Sequence, residues 1–167
     1  MYLGIDLGKT GAIGMVGIDG QYFTVLDLPL TPILVGKGKK SKPHYRLNTA
    51  IIRQRLQGLM ITSCTMEAVW GQATNGCQAN FSMGRYLGAM EVCLDALYWA
   101  SHWPNVQYVP PATWKKHFGL LKQDKLASLE LARGLFPEAP LSRKKDHNRA
   151  EALLLAHYGW QTRKETT

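Results

Sequence analysis

Three short apolar runs open this sequence, and only tight turns separate them. Tyr2 to Leu7 stops at Gly8, Gly11 to Ile18 runs into Asp19-Gly20, and Tyr22 to Leu28 stops at Pro29. Asp-Gly is a favoured hairpin pair because its residues accept the positive φ that a two-residue turn demands. The runs predict three strands in an antiparallel meander. Helix and strand then alternate. Arg46 to Met60 has helical periodicity, Cys64 to Trp70 reads as a strand, Gln78 to Trp99 as a long helix and Val106 to Val109 as a short strand. Helices are expected over Ala112 to Phe118, Asp124 to Leu135 and His147 to Tyr158. The set predicts an α/β fold: a five-stranded mixed sheet, three strands antiparallel and then two parallel, flanked by helices.

A chain of 167 residues suits one domain with a real core, expected over 1–160, with a polar tail over 161–167. Its 20 Lys+Arg against 12 Asp+Glu leave a net charge of +8. Such an excess favours a polyanionic partner, with nucleic acid the commonest. No membrane partner is expected: no helix is basic on one side and apolar on the other, and no run is long enough to span a bilayer. No signal peptide is visible. Cys64, Cys77 and Cys93 form no CxxC pair, so neither zinc nor a disulfide framework is indicated, and a reducing cytoplasm fits.

Two segments bear on partners. Thr31 to Tyr45 carries Lys37, Lys39, Lys40 and Lys42 among glycines and prolines, and reads as a basic loop. It is either a solvated linker or an arm that contacts phosphates. In the long helix, Met83, Leu87, Met90, Leu94 and Leu97 follow coiled-coil steps, while Tyr86, Ala89, Cys93 and Ala96 form a second apolar stripe. Two such faces suit a helix held between its own sheet and another subunit.

The chemistry gathers around a few acids. Asp6 ends the first strand, on the face of Tyr2 and Gly4; taken alone, it reads as a turn-forming residue. Glu67 lies in an otherwise apolar strand, where a carboxylate is costly unless paired or metal-bound. Asn148 and Glu151 share one face of the last helix at i and i+3, and His147 reaches the same region. Asn148 can also serve as an N-cap. Glu151 reads either as a solvated charge or, being the one acid in a run of Ala and Leu, as a buried one; the second is favoured. Carboxylates at neighbouring strand ends can bind Mg²⁺ through oxygen.

Gly4-Ile5-Asp6-Leu7-Gly8, the strand-ending Glu67 and Ala150-Glu151-Ala152-Leu153-Leu154 together resemble the RuvC family of Holliday-junction resolvases, of a phage or compact bacterial kind. The resemblance covers nearly the whole chain, in order. It implies an RNase H-like fold, a homodimer and Mg²⁺-dependent nicking of four-way junction DNA, with Mn²⁺ as a substitute and no small-molecule cofactor. The family's four carboxylates around two ions fall on Asp6, Glu67, Asn148 and Glu151. Trp70 matches an aromatic residue that stacks near the junction centre. Lys115 and Lys125 match basic residues near the scissile phosphate, and the long helix matches the dimerising region.

Asn148 departs from that pattern, since the family has Asp there. Either Asp146 has taken over, or Asn148 marks an inactivated form that holds DNA uncut; the second is favoured, because Asp146 is expected to precede the helix and face elsewhere. Three other readings stand beside the resolvase. An actin- or Hsp70-like ATPase shares Gly-Ile-Asp-Leu-Gly but needs two such domains. The others are a non-cleaving branched-DNA binding module and a related nuclease acting on other branched or hybrid nucleic acid.

Overall fold

The computed structural model describes residues 1–33, 44–69, 76–98 and 105–164. In chain order the elements are β1 (Tyr2–Asp6), β2 (Ala12–Val16), β3 (Tyr22–Asp27), β4 (Leu30–Ile33), β5 (His44–Leu47), α1 (Thr49–Leu56), β6 (Ser63–Glu67), α2 (Cys77–Tyr98), β7 (Asn105–Val109), α3 (Pro111–His117), α4 (Lys125–Leu135) and α5 (His147–Lys164). A 3-10 turn, Lys144–Asp146, leads directly into α5. The main sheet runs β3-β2-β1-β6-β7. Its first three strands are antiparallel, and β6 and β7 join in parallel. This is the expected α/β architecture.

Period-two alternation divides the core in two. Leu3 and Ile5 of β1, Ile13 and Met15 of β2, and Cys64 and Met66 of β6 face α1 and α2. The opposite face carries α5, with α3 and α4 beyond it. Ala152 to Gly159 of α5 are all buried, as befits a helix with protein on every side. That helix can come so close because its floor lacks side chains. Gly4 and Gly14 are register partners on β1 and β2. A Cβ on Gly4 would strike Ala152 O and Ala156 N, and one on Gly14 would strike the backbone of Ala152 and Leu153.

Four expectations need correction. The segment 31–45 is not all loop: β4 and β5 pair antiparallel from Leu30–Leu47 to Ile33–His44. An edge ribbon tolerates Pro32, whose missing N–H need not face a partner. The first helix is shorter than Arg46 to Met60. Leu47 ends β5, the Asn48 side chain caps the helix by accepting from Ile51 N at 3.2 Å, and Gly58 turns the chain at φ 81°. In α2, Met90 and Leu94 of one apolar stripe and Tyr86 and Cys93 of the other are all buried in the chain's own core. The face left open holds Phe81, Gly84, Gly88 and Val92, with Phe81 and Val92 62% and 67% exposed. Finally, α5 continues past Tyr158 to Lys164. The Lys37, Lys39, Lys40 and Lys42 segment and Trp70 lie outside the described residues.

Candidate active site

Asp6 ends β1 and Glu67 ends β6, one step beyond the register pair Ile5–Met66. Both belong to the α5 face of the sheet. Glu151 comes down from α5 with its side chain 13% exposed. Its Oε1 lies 3.2 Å from Lys115 Nζ and accepts from Ser128 Oγ at 3.4 Å. Glu67 Oε2 accepts from the indole Nε1 of Trp114 at 3.1 Å. Lys115 Nζ in turn sits 5.0 Å from the centre of the Trp114 ring. Pro111 at the start of α3 supplies the helical φ there, and the helix presents the buried Trp114 and the partly exposed Lys115 side by side.

The acids feel one another. Burial pushes the Asp6 carboxyl well above its ordinary value, Glu151 and Glu67 push it further, and Lys115 and Lys125 oppose them. Glu67 is also raised, first by burial and then by Glu151, against the pull of the Trp114 hydrogen bond and Lys115. Three carboxylates that repel one another across a partly desolvated corner are hard oxygen donors, the chemical type that suits a divalent cation such as Mg²⁺. As they stand, no three His, Cys, Asp or Glu groups among the described residues are close enough to grip an ion. Among the described residues, the Lys115 ammonium is the cation closest to Glu151, at 3.2 Å.

No family model matches the chain, and no curated protein does. Solved structures do. The structure of Thermus thermophilus RuvC matches with a TM-score of 0.56 at 20% identity, over 98% of this chain and 96% of that one. T. thermophilus RuvC in complex with a Holliday junction substrate gives 0.57 at 16% identity, over the same shares. The chain has a RuvC-like RNase H fold. At these identities the likeness is one of fold, so each site residue stands on its own geometry.

Within the RuvC-like fold, Asp6, Glu67, Glu151 and Lys115 come together, and exposed Lys125 lies within electrostatic reach of Asp6. Asn148 is held differently. Its Nδ2 donates to the carbonyl oxygen and to Oγ1 of Thr10, each at 2.6 Å. A carbonyl only accepts, so the nitrogen must face the β1–β2 turn. Asn148 is therefore not an N-cap: it donates, and the 3-10 turn precedes α5 without a break. Asp146 is engaged elsewhere. It is buried, accepts from Arg143 Nε, Nη2 and backbone N, and faces Arg149 as well. The His147 ring lies 3.5 Å from the Lys144 carbonyl.

Trp114, Ser128 and Thr10 were not legible as site residues. A buried indole N–H needs an acceptor, and that rule could have flagged Trp114 beside Lys115. Nothing in the sequence singled out Ser128 or Thr10. The buried thiols are inert: burial pushes Cys64 up to about 12, and Cys93 is raised for the same reason. No helix among the described residues is long and apolar enough to cross a membrane.

Proposed function

We propose that this chain is a structure-selective endonuclease of four-way (Holliday) DNA junctions, working as a Mg²⁺-dependent homodimer in the cytoplasm of a bacterial or phage-infected cell. The observation that carries the reading is the meeting of Asp6, Glu67 and Glu151 beside Lys115 in a RuvC-like fold. The Holliday junction bound by T. thermophilus RuvC supplies the substrate class. Asp6, Glu67 and Glu151 would hold the ions, and Mn²⁺ would fit the same oxygens. Asn148 would add at most one neutral oxygen. Bound there, the metal would lower the pKa of an attacking water and stabilise the leaving 3′ oxygen.

The chain's own groups divide the remaining work. Trp114 fixes the orientation of Glu67 through its indole hydrogen bond. Lys115 and Lys125 place positive charge where the scissile phosphate must approach. Trp70 would stack on a base at the opened crossover, and Lys37, Lys39, Lys40 and Lys42 would form a phosphate-contacting arm. The open stripe of α2 around Phe81, Gly88 and Val92 is the surface for a second copy. Two sites related by a two-fold axis would nick opposed strands and leave 5′-phosphate ends.

A second reading, binding without cutting, is favoured by one observation: the Asn148 amide is committed to Thr10. A single experiment separates these readings. The chain and its Asn148→Asp variant are incubated with junction, fork, RNA–DNA hybrid and linear duplex in Mg²⁺. The resolvase reading expects junction-selective nicking by the variant and poor nicking by the parent. Preference of the variant for the hybrid or the fork would move the assignment to another RNase H-like nuclease.

A further inference from the structure

A cavity of about 360 Å³ lies between the β1–β2 turn and the start of α5, one helical turn from Glu151. Its walls include Lys9, Thr10, Arg143, Lys145, Asn148 and Arg149. Two carboxylates also line it, Asp27 and Asp146, and both are already neutralised. Arg149 donates from Nε and Nη2 to Asp27 at 2.6 and 2.5 Å. Arg143 holds Asp146 through Nε and Nη2 at 3.1 and 2.7 Å. The pairs cancel and leave the charges of Lys9 and Lys145.

Neither lysine has a carboxylate partner among the described residues. Lys9 Nζ rests 4.8 Å from the centre of the Tyr45 ring, which positions the ammonium without removing its charge. Thr10 adds a donor. Its Oγ1 accepts from Asn148, so its own O–H proton is directed away from that bond. Two uncompensated ammonium groups and a hydroxyl donor around one hollow are the requirements of an anion with several oxygens. Arginines locked onto carboxylates keep the hollow's walls in place and add no net charge.

We propose that this cavity seats a backbone phosphate of the bound DNA, flanking the phosphate that meets Asp6, Glu67 and Glu151. The proposal rests on the nuclease reading for its ligand, and it assigns a positioning role to Lys9, Thr10 and Lys145. A strand pinned one helical turn from Glu151 enters the carboxylate cluster in a fixed register. The cavity is separate from the lysines of segment 31–45 and from Lys115 and Lys125.

The test is the salt dependence of DNA binding by the full chain, without Mg²⁺, measured by fluorescence anisotropy on a four-way junction and on a linear duplex. Lys9→Gln with Lys145→Gln should lower the slope of log affinity against log salt by about 1. Lys9→Arg with Lys145→Arg should restore the slope, and both pairs should melt where the parent does, because both side chains are exposed. An unchanged slope in the Gln pair on both DNAs overturns the cavity, as does an equal fall in the Arg pair. A reduced slope on both DNAs with no preference for the junction upholds the cavity and removes the junction assignment instead.

Discussion

The side-chain amide of Asn148 bridges to Thr10, donating to its carbonyl oxygen and its hydroxyl at 2.6 Å each. The bridge ties the start of α5 to the turn that follows Asp6. An aspartate in the same place would set a carboxylate against that carbonyl, with nothing to donate. Asn148→Asp should therefore melt lower than the parent in EDTA, by about 1 kcal/mol for the lost hydrogen bond. Mg²⁺ should return the stability of the variant and leave the parent little changed. Melting curves with and without Mg²⁺ measure both effects. Equal stability of the two proteins in EDTA would show that the bridge contributes nothing.

Acid should unfold the chain partly through Asp146. The Arg143 hydrogen bond holds its carboxyl below the ordinary value, and it is buried. A depressed folded-state pKa gives stability that is present above the unfolded value, about 3.9, and is lost as pH falls through the folded one. Asp146→Asn should flatten the acid limb of a urea-denaturation series taken from pH 6 downwards. At neutral pH it should cost about 1.5–3 kcal/mol, the range for hydrogen bonds to charged groups. Asp27 is depressed in the same direction by Arg149, but it is largely exposed, so Asp27→Asn should matter less. An acid limb as steep as the parent's in Asp146→Asn would remove this residue from the account.

The open and the buried faces of α2 should separate in their mutants. Val92 is exposed, whereas Leu94, on the opposite side of the helix, is fully buried. Val92→Asp should give a folded monomer with the parent's melting temperature. Leu94→Asp should give insoluble or unfolded protein, since a charge buried without a partner is among the costliest of changes. Sedimentation at micromolar concentration reads the first result. A parent chain that is itself monomeric would remove the dimer.

Gly4→Ala and Gly84→Ala are the same chemical change with opposite expected signs. On Gly4 the new methyl meets the α5 backbone, and overpacking of this kind costs up to about 3 kcal/mol. On Gly84 it meets nothing of the chain itself within 4 Å, and in a monomeric background such as Val92→Asp relief of a helical glycine should add about 0.5–1 kcal/mol. Urea midpoints of the two variants give the comparison. A Gly4→Ala variant as stable as the parent would mean that α5 can lift off the sheet freely.

The meander, β6, β7 and α4 were legible because each obeys a local rule. Alternation places Leu3, Ile5 and Met66 on one face and Asp6 and Glu67 on the other, and Asp124 caps α4 by accepting from Leu126 N and Ala127 N. The ribbon β4–β5 was not legible, since four residues that include Pro32 carry too little pattern to outweigh the neighbouring glycines and lysines. Asp6 taken alone reads as a turn residue and joins the others only through the ordered set of motifs, whereas Glu67 and Glu151 could be picked out as acids in apolar runs. The bond from Trp114 to Glu67 could not, because it spans 47 positions and depends on how α3 lies beside β6. The same holds for Asn148: its place on the helix face was predictable, but its attachment to Thr10 arises only when the turn and α5 meet.

The bare floor formed by Gly4 and Gly14 makes the main chain the gauge of the carboxylate corner. Most helices stand off a sheet by the thickness of two layers of side chains, and their height changes whenever one of those side chains changes. Here the α5 backbone touches strand backbone directly, so the drop from Glu151 to Asp6 has no interchangeable spacer in it. Substitutions elsewhere in the core can alter stability with little effect on that height. The sequence is correspondingly free to drift around the corner, provided that Gly4 and Gly14, and Gly11 against the Asp6 carbonyl, never acquire a methyl group.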